Sequence, residues 1–190
     1  MNIAISIGHH KDAQGAEYNG VTEYALATGW AHEVASLVDG SFVVSGTLNK
    51  KVKEINDREA DLAIEIHFNS FKVWEDANKN GIIDDNELKN AGKGSETLYY
   101  PGSSKGELFA SCVQNHLGKI ATPDRGIKKG WYRMDKERGP DYFLLRTKCP
   151  AIIVEPEFIH RLDRINNIKH DAIYHIAVGI TEAYSLIYGG

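Results

Sequence analysis

Two periods of apolar residues alternate along the chain. Ile3, Ile5 and Ile7 alternate with smaller residues, so residues 2–7 read as a first strand. Residues 21–38 predict a helix, with Leu26, Trp30, Val34 and Leu37 on one stripe and Glu23 in its first turn. Phe42, Val43 and Val44 make a short strand. Leu48, Val52 and Ile55 mark a second helix, whose Lys50, Lys51, Lys53 and Glu54 are expected in solvent. The run Leu62-Ala63-Ile64-Glu65-Ile66-His67-Phe68-Asn69 opens as a buried strand and ends by presenting an imidazole. Residues 74–94 break the pattern, being polar and rich in Asn and Asp.

After that break, residues 96–100 predict a strand. Ser104 and Glu107 stand at capping-box spacing, and Leu108, Cys112, His116 or Leu117, and Ile120 supply the apolar face of the next helix. Residues 122–140 read as loop or irregular strand, and 143–145 as a short strand. Residues 151–155 read as the last strand. A final helix is expected over about 171–187, with Ile173, Ile176, Ala177, Ile180, Tyr184 and Ile187 inward. Strands alternating with helices predict a single α/β domain over 1–190, a mostly parallel mixed sheet flanked by helices, with an insertion at about 74–94.

Composition narrows the classes. The chain has 190 residues, enough for a real core, and a formal net charge of -4. That charge argues against a nucleic-acid binder working by bulk electrostatics. With two cysteines, Cys112 and Cys149, no disulfide framework is expected. No basic segment followed by a long apolar run opens the chain, and no run of about 18 apolar residues occurs. A soluble product made in the cytoplasm, without signal peptide or membrane span, is the expectation.

Three apolar runs finish on chemistry-bearing residues: 2–7 before Gly8-His9-His10, 62–66 before His67, and 151–154 before Glu155. In open α/β sheets, ligands sit outside the carboxyl ends of strands, so one shared site at one sheet edge is expected. His9, Glu23 and His67 offer the N and O donors of a catalytic zinc site with a fourth position open. Neither His-Glu-x-x-His nor Cys-x-x-Cys is present. From spacing alone the zinc signal is weak: a lone histidine at a strand end is more often structural, Glu23 is favoured there by the helix dipole in any case, and Glu155 alone reads as an ion-paired strand-end carboxylate.

Gly8-His9 after a strand, Glu23 opening a helix, Ala60 to Asn69, Arg125-Gly126-Ile127-Lys128, and Ile153-Val154-Glu155-Pro156-Glu157-Phe158 occur in that order. Together they resemble the zinc-dependent N-acetylmuramoyl-L-alanine amidases of the third amidase type, which cleave bacterial peptidoglycan. The resemblance implies zinc on His9, Glu23 and His67, with Glu155 as catalytic acid/base. Three departures stand out. His10-Lys11 replaces a more glycine-rich turn, Glu65-Ile66-His67-Phe68-Asn69 replaces Ser-Ile-His-Ala-Asn, and Pro156-Glu157 replaces a small residue and glycine. The Glu-Ile-His form is similar to that of clostridial phage endolysins. A phage lysin released at lysis is therefore expected, with a host autolysin whose leader was trimmed as the alternative; peptidoglycan is the expected substrate, and either a separate cell-wall-binding domain lies outside this chain or the catalytic domain acts alone. Roles for Arg125, Lys128 and Arg146 are left open between substrate carboxylates and a solvated basic face.

The polar insertion carries its own pattern. Asp76, Asn78, Asn80, Ile82 (through its carbonyl), Asp84 and Glu87 fall at the liganding positions of a twelve-residue EF-hand-like loop. Gly81 takes the sharp-turn position and Ile83 the apolar anchor. One structural Ca2+ is expected there; a polar surface insertion is the alternative. The competing functions are another zinc peptidase or deacetylase on this fold, and a non-catalytic, calcium-dependent wall-binding module.

Overall fold

The computed structural model describes residues 1–70, 92–130 and 142–189. The expected calcium ligands at 76–87 lie outside these residues. The strands are β1 (Ile3–Ile7), β2 (Glu17–Tyr18), β3 (Val21–Thr22), β4 (Ser41–Val44), β5 (Leu62–Ile66), β6 (Ser95–Tyr99), β7 (Asp124–Lys129) and β8 (Ala151–Glu155). The helices are α1 (Glu23–Leu37), α2 (Leu48–Asp57), α3 (Ser104–Leu117), α4 (Tyr142–Arg146) and α5 (Leu162–Tyr188). A six-stranded sheet runs in the order β4-β1-β5-β8-β6-β7. All its pairings are parallel except β6 with β8. It is the mostly parallel mixed sheet of a single α/β domain, flanked by helices. No helix among the described residues is long and apolar enough to cross a membrane.

Successive residues of a strand point to opposite faces, and both faces of this sheet are covered. Ile3, Ile5, Ile7, Leu62, Ile64, Ile66, Ile152 and Val154 pack with α1, α3 and α5. Ala4, Ala63, Ala151 and Ile153 face α2 and α4, against Val52, Ile55, Phe143 and Leu144. The chain leaves β1 in one direction for β4 and returns on its other side as β5. A crevice therefore opens between β1 and β5 at their carboxyl ends, where such sheets bind ligands.

Several local expectations change. The first helix begins at Glu23, because Thr22 caps it by accepting from the Ala25 N–H (3.3 Å) and Val21–Thr22 pairs with Glu17–Tyr18. Ser103, not Ser104, caps α3, accepting from the Gly106 N–H. Residues 143–145 are not a strand but part of α4. A three-residue apolar run does not distinguish the two periods, and here Phe143 and Leu144 together cover the α2 face. The last helix starts at Leu162 rather than 171, since Leu162, Ile165 and Ile168 carry the inward stripe through polar Asn166-Asn167. Leu37 and Leu108, expected inward, are exposed at the helix rims.

Lys51 is the sharpest difference. It is 3% exposed rather than solvated. Its ammonium is drawn under α2 by the Ile7 carbonyl (2.8 Å) and the Glu65 carboxylate. Both cysteines are free, with Cys112 buried in the core as expected.

Candidate active site

The sequence-predicted trio meets at the crevice. Beyond β1, the Gly8 N–H still donates to the Ile66 carbonyl (2.9 Å), holding the strand end against β5. A Cβ at Gly8 would collide with that carbonyl and crowd the His67 ring at 2.9 Å. The chain then turns through His9, at φ 61°, and closes a tight loop by paired backbone bonds between His10 and Ala13. This turns His9 back over the strand end while His10 faces away, toward Asp12.

Glu23 is the hub. It begins α1, where the helix dipole favours a carboxylate. The Glu23 N–H donates to the Ala16 carbonyl (2.8 Å), and the Ala16 N–H donates back to Oε2 (3.3 Å). Oε2 lies 3.0 Å from His9 Nε2, and Oε1 lies 2.8 Å from His67 Nδ1. The Phe68 N–H also donates to Oε1 (3.1 Å), and Trp30 from α1 packs edge-on against the Phe68 ring. One donor atom each from His9, Glu23 and His67 lies within 4.8 Å of the others. Two imidazole nitrogens and one carboxylate oxygen, held that close at a strand-end crevice, suit a zinc-type cation with an open position.

The backbone makes room for that cluster. Gly15 sits at φ 77°, and a Cβ there would lie 2.5 Å from His9 Nε2 and 2.7 Å from Glu23 Oε2. The donor cluster thus lies under a cradle that a side chain would fill. Burial alone would raise the Glu23 pKa, but the hydrogen bonds and charges of His67 and His9 outweigh it and hold it at about 2. Burial would lower that of His67, but Glu23 and Glu65 together push it up to about 10.

Glu155 ends β8, next to β5, and pairs in register with Glu96 of the antiparallel β6. Burial pushes its carboxyl up to about 7; the charges of Glu96 and Glu23 add to this, while those of His67 and Arg125 oppose it. Arg125 is fixed rather than solvated. Its Nε and one terminal nitrogen meet Glu96 Oε2 at 3.0 and 2.9 Å, and its guanidinium lies over the Phe158 ring. Asn69 donates to the other Glu96 oxygen (2.7 Å). Lys128 and Arg146 are exposed. The carbonyl of Arg146 accepts from Asn56 at the end of α2, beside the amino ends of the strands and far from the cluster.

The sequence profile of the N-acetylmuramoyl-L-alanine amidase family (Amidase_3) matches residues 3–185. The chain belongs to this family. Among solved structures, an N-acetylmuramoyl-L-alanine amidase from Clostridium difficile 630 covers 100% of this chain and 98% of its own, with a TM-score of 0.73 and 22% identity. The catalytic domain of the CD27L endolysin targeting Clostridia difficile has a TM-score of 0.72 and 25% identity, covering 96% of this chain and 97% of its own. The catalytic domain of CwlV, an amidase from Bacillus (Paenibacillus) polymyxa var. colistinus, has a TM-score of 0.72 and 20% identity, covering 100% and 99%. In sequence, the uncharacterized protein CPE1502 of Clostridium perfringens is 25% identical over 169 residues, 82% of this chain. The chain spans 43% of the length of that relative.

Two further residues of this amidase-family site, Lys51 and Glu96, were not singled out in the sequence, and Glu65 and Asn69 stood out there only as a departure from the family motif, with no role assigned. Glu65 carried a signal, since an acid inside a strand buried on both faces requires a partner. The others had none: a lysine on a helix rich in lysine looks solvated until the fold places a carboxylate beneath it.

Proposed function

We propose that this chain is a zinc-dependent N-acetylmuramoyl-L-alanine amidase. Its substrate would be the amide between the lactyl group of N-acetylmuramic acid and L-alanine in peptidoglycan. The observation that carries it is the convergence of His9, Glu23 and His67, with Glu155 on the neighbouring strand end, in a chain of the amidase family. His9 Nε2, a Glu23 carboxylate oxygen and His67 Nδ1 would hold the zinc. When bound, zinc polarises a carbonyl and lowers the pKa of water toward neutrality.

The remaining chemistry falls to the chain's own carboxylate. Glu155 takes a proton from the attacking water and returns it to the leaving amine nitrogen of L-alanine. A carboxyl near pH 7 suits both transfers, being basic enough to accept and acidic enough to give. The Arg125–Glu96 pair beside it sets the local charge. As a base, Glu155 works only when deprotonated, so kcat/KM falls as pH drops through its pKa. Arg125→Met removes a favourable positive charge and should move this acid limb to higher pH, by up to about one unit. Glu96→Gln should move it lower. pH–rate profiles of the two variants check this; a limb that stays fixed in both belongs to another group.

Endolysin-type lysis of the cell wall is the setting we favour. Support comes from the Glu65-Ile66-His67 sequence and the likeness to the CD27L catalytic domain. A protein made in the cytoplasm and released onto the wall, working beside a wall-binding domain, belongs to the same proposal. The test is elemental analysis of the purified protein with turbidity loss on Gram-positive walls, before and after chelation. About one zinc per chain, with lysis lost on chelation and restored by zinc, is the expected result. Absence of zinc after reconstitution would overturn the assignment.

For residues 76–87 the proposal is a structural Ca2+ held by Asp76, Asn78, Asn80, the Ile82 carbonyl, Asp84 and Glu87, on the sequence pattern alone. The described roots on either side are tied to β8's exit. The Gly94 N–H donates to Glu157 Oε1 (2.7 Å), and the Asn69 N–H to the Glu157 carbonyl (3.0 Å). Calcium at a hundredfold over its Kd should add about 3 kcal/mol of stability. That corresponds to a Tm higher by about 5–10 °C. Superimposable melting curves with calcium and with chelator would remove the calcium site.

A further inference from the structure

Behind His67 stands a buried chain of charges that the amidase reading leaves unassigned. Strand periodicity puts Ser6, Glu65 and His67 on the sheet face covered by α2. Lys51 reaches down from that helix. Its ammonium donates to the Ile7 carbonyl (2.8 Å), two residues before His9, and to Glu65 Oε1, two residues before His67. One cation thus ties together the ends of both strands that carry histidines. The Ser6 hydroxyl donates to the same Glu65 oxygen (3.1 Å). The other oxygen, Oε2, faces His67 Nε2 at 3.3 Å. Lys51 and Glu65 are each 3% exposed.

Resting on the zinc reading above, we propose that Lys51 and Glu65 are positioning residues of the metal centre. Glu65 accepts the proton on His67 Nε2, so that the lone pair of Nδ1 is the one turned toward Glu23 and the metal. Lys51 and Ser6 fix the Glu65 carboxylate in that direction. A carboxylate behind a ligating imidazole fixes both its tautomer and its ring orientation. Merely pinning α2 to the sheet would not require these groups. A buried ion pair is no better for stability than a well-packed apolar pair, and it gains a reason for being there when one of its oxygens orients a ligand.

The test compares the full chain with Lys51→Met/Glu65→Gln, which removes both charges together and leaves no buried charge unpaired. Zinc affinity is measured by chelator competition, and metal-free stability by thermal unfolding. The variant is expected to bind zinc about 10- to 100-fold more weakly. Its metal-free Tm should stay within a few degrees of the parent. Equal zinc affinity in parent and variant overturns the positioning role while leaving the zinc site standing. Failure of the parent itself to bind zinc overturns the zinc reading and this inference with it. Nitrogen NMR of His67 in the zinc-loaded parent gives an independent reading that needs no variant. A proton on Nε2 and a metal-bound Nδ1 are expected, and the reverse assignment refutes the proposal.

Discussion

Glu155→Gln should abolish peptidoglycan cleavage while leaving the fold and zinc content unchanged. Glutamine matches glutamate in shape, so the end of β8 and its pairing with Glu96 in β6 should persist. None of the three clustered donor atoms belongs to residue 155, so metal uptake should be indifferent to the change. What disappears is the carboxyl that ends β8, the group proposed to take and return the proton. General acid–base catalysis is typically worth 10²–10⁴-fold, so kcat should fall by about that factor. Because the charge on Glu155 disfavours its own burial, the neutral variant should be no less stable than the parent. Lysis assays run beside zinc analysis and a melting curve check all three parts. A variant that retains lysis would move the acid/base role elsewhere. A variant that keeps zinc and loses lysis also disposes of the non-catalytic wall-binding alternative.

His67→Ala should have the opposite signature, losing metal, activity and stability together. The imidazole lies between Glu23, 2.8 Å from Nδ1, and Glu65, 3.3 Å from Nε2. Its removal takes one of the three proposed zinc donors, so zinc content should fall from the expected one per chain to near zero. It also leaves two buried carboxylates with less compensation. Lys51 still serves Glu65, and His9 still meets Glu23. In the metal-free protein, breaking such a buried arrangement should cost roughly 3 kcal/mol.

The pH dependence of that metal-free stability follows from the same groups. His67, held at about 10, contributes fully below its ordinary range near 6.5, and the contribution is lost as pH rises through about 10. Glu23 and Glu65, both held at about 2, contribute fully above about 4.5 and lose that contribution as pH falls through about 2. The gap between parent and His67→Ala should therefore be widest between these limits. Denaturant titrations of both proteins without metal measure it; a gap constant with pH would mean that the loss is one of packing alone.

The site was legible where strand ends were legible. Three apolar runs, each closing on His9, His67 or Glu155, are adjacent strands β1, β5 and β8, and their shared carboxyl edge is where the trio meets. Glu23 stood out only as a helix-opening carboxylate, which the helix dipole explains equally well, and geometry makes it the hub. Groups that act through others were harder to see. Lys51 sits among Lys50 and Lys53 on a helix whose polar face looks uniform in sequence, and only the register of Glu65 beneath α2 distinguishes it. Arg125 gave no sign that Glu96, 29 residues earlier, would hold it beside Glu155.

Fold errors came from short or interrupted periods. Phe143-Leu144-Leu145 is too brief to separate helix from strand. Asn166-Asn167 hid the first turns of α5 because both are polar, while Ile165 and Ile168 on either side face the core. Leu37 and Leu108 have the right spacing but sit at the edges of their stripes, where neighbouring elements do not reach them.

The most direct test of the amidase assignment is product analysis of purified peptidoglycan digested by the zinc-loaded chain. Intact stem peptides with a new L-alanine amino terminus should be released, beside glycan strands that gain no reducing ends. Cleavage within the stem peptide, or new reducing ends on the glycan, would contradict it.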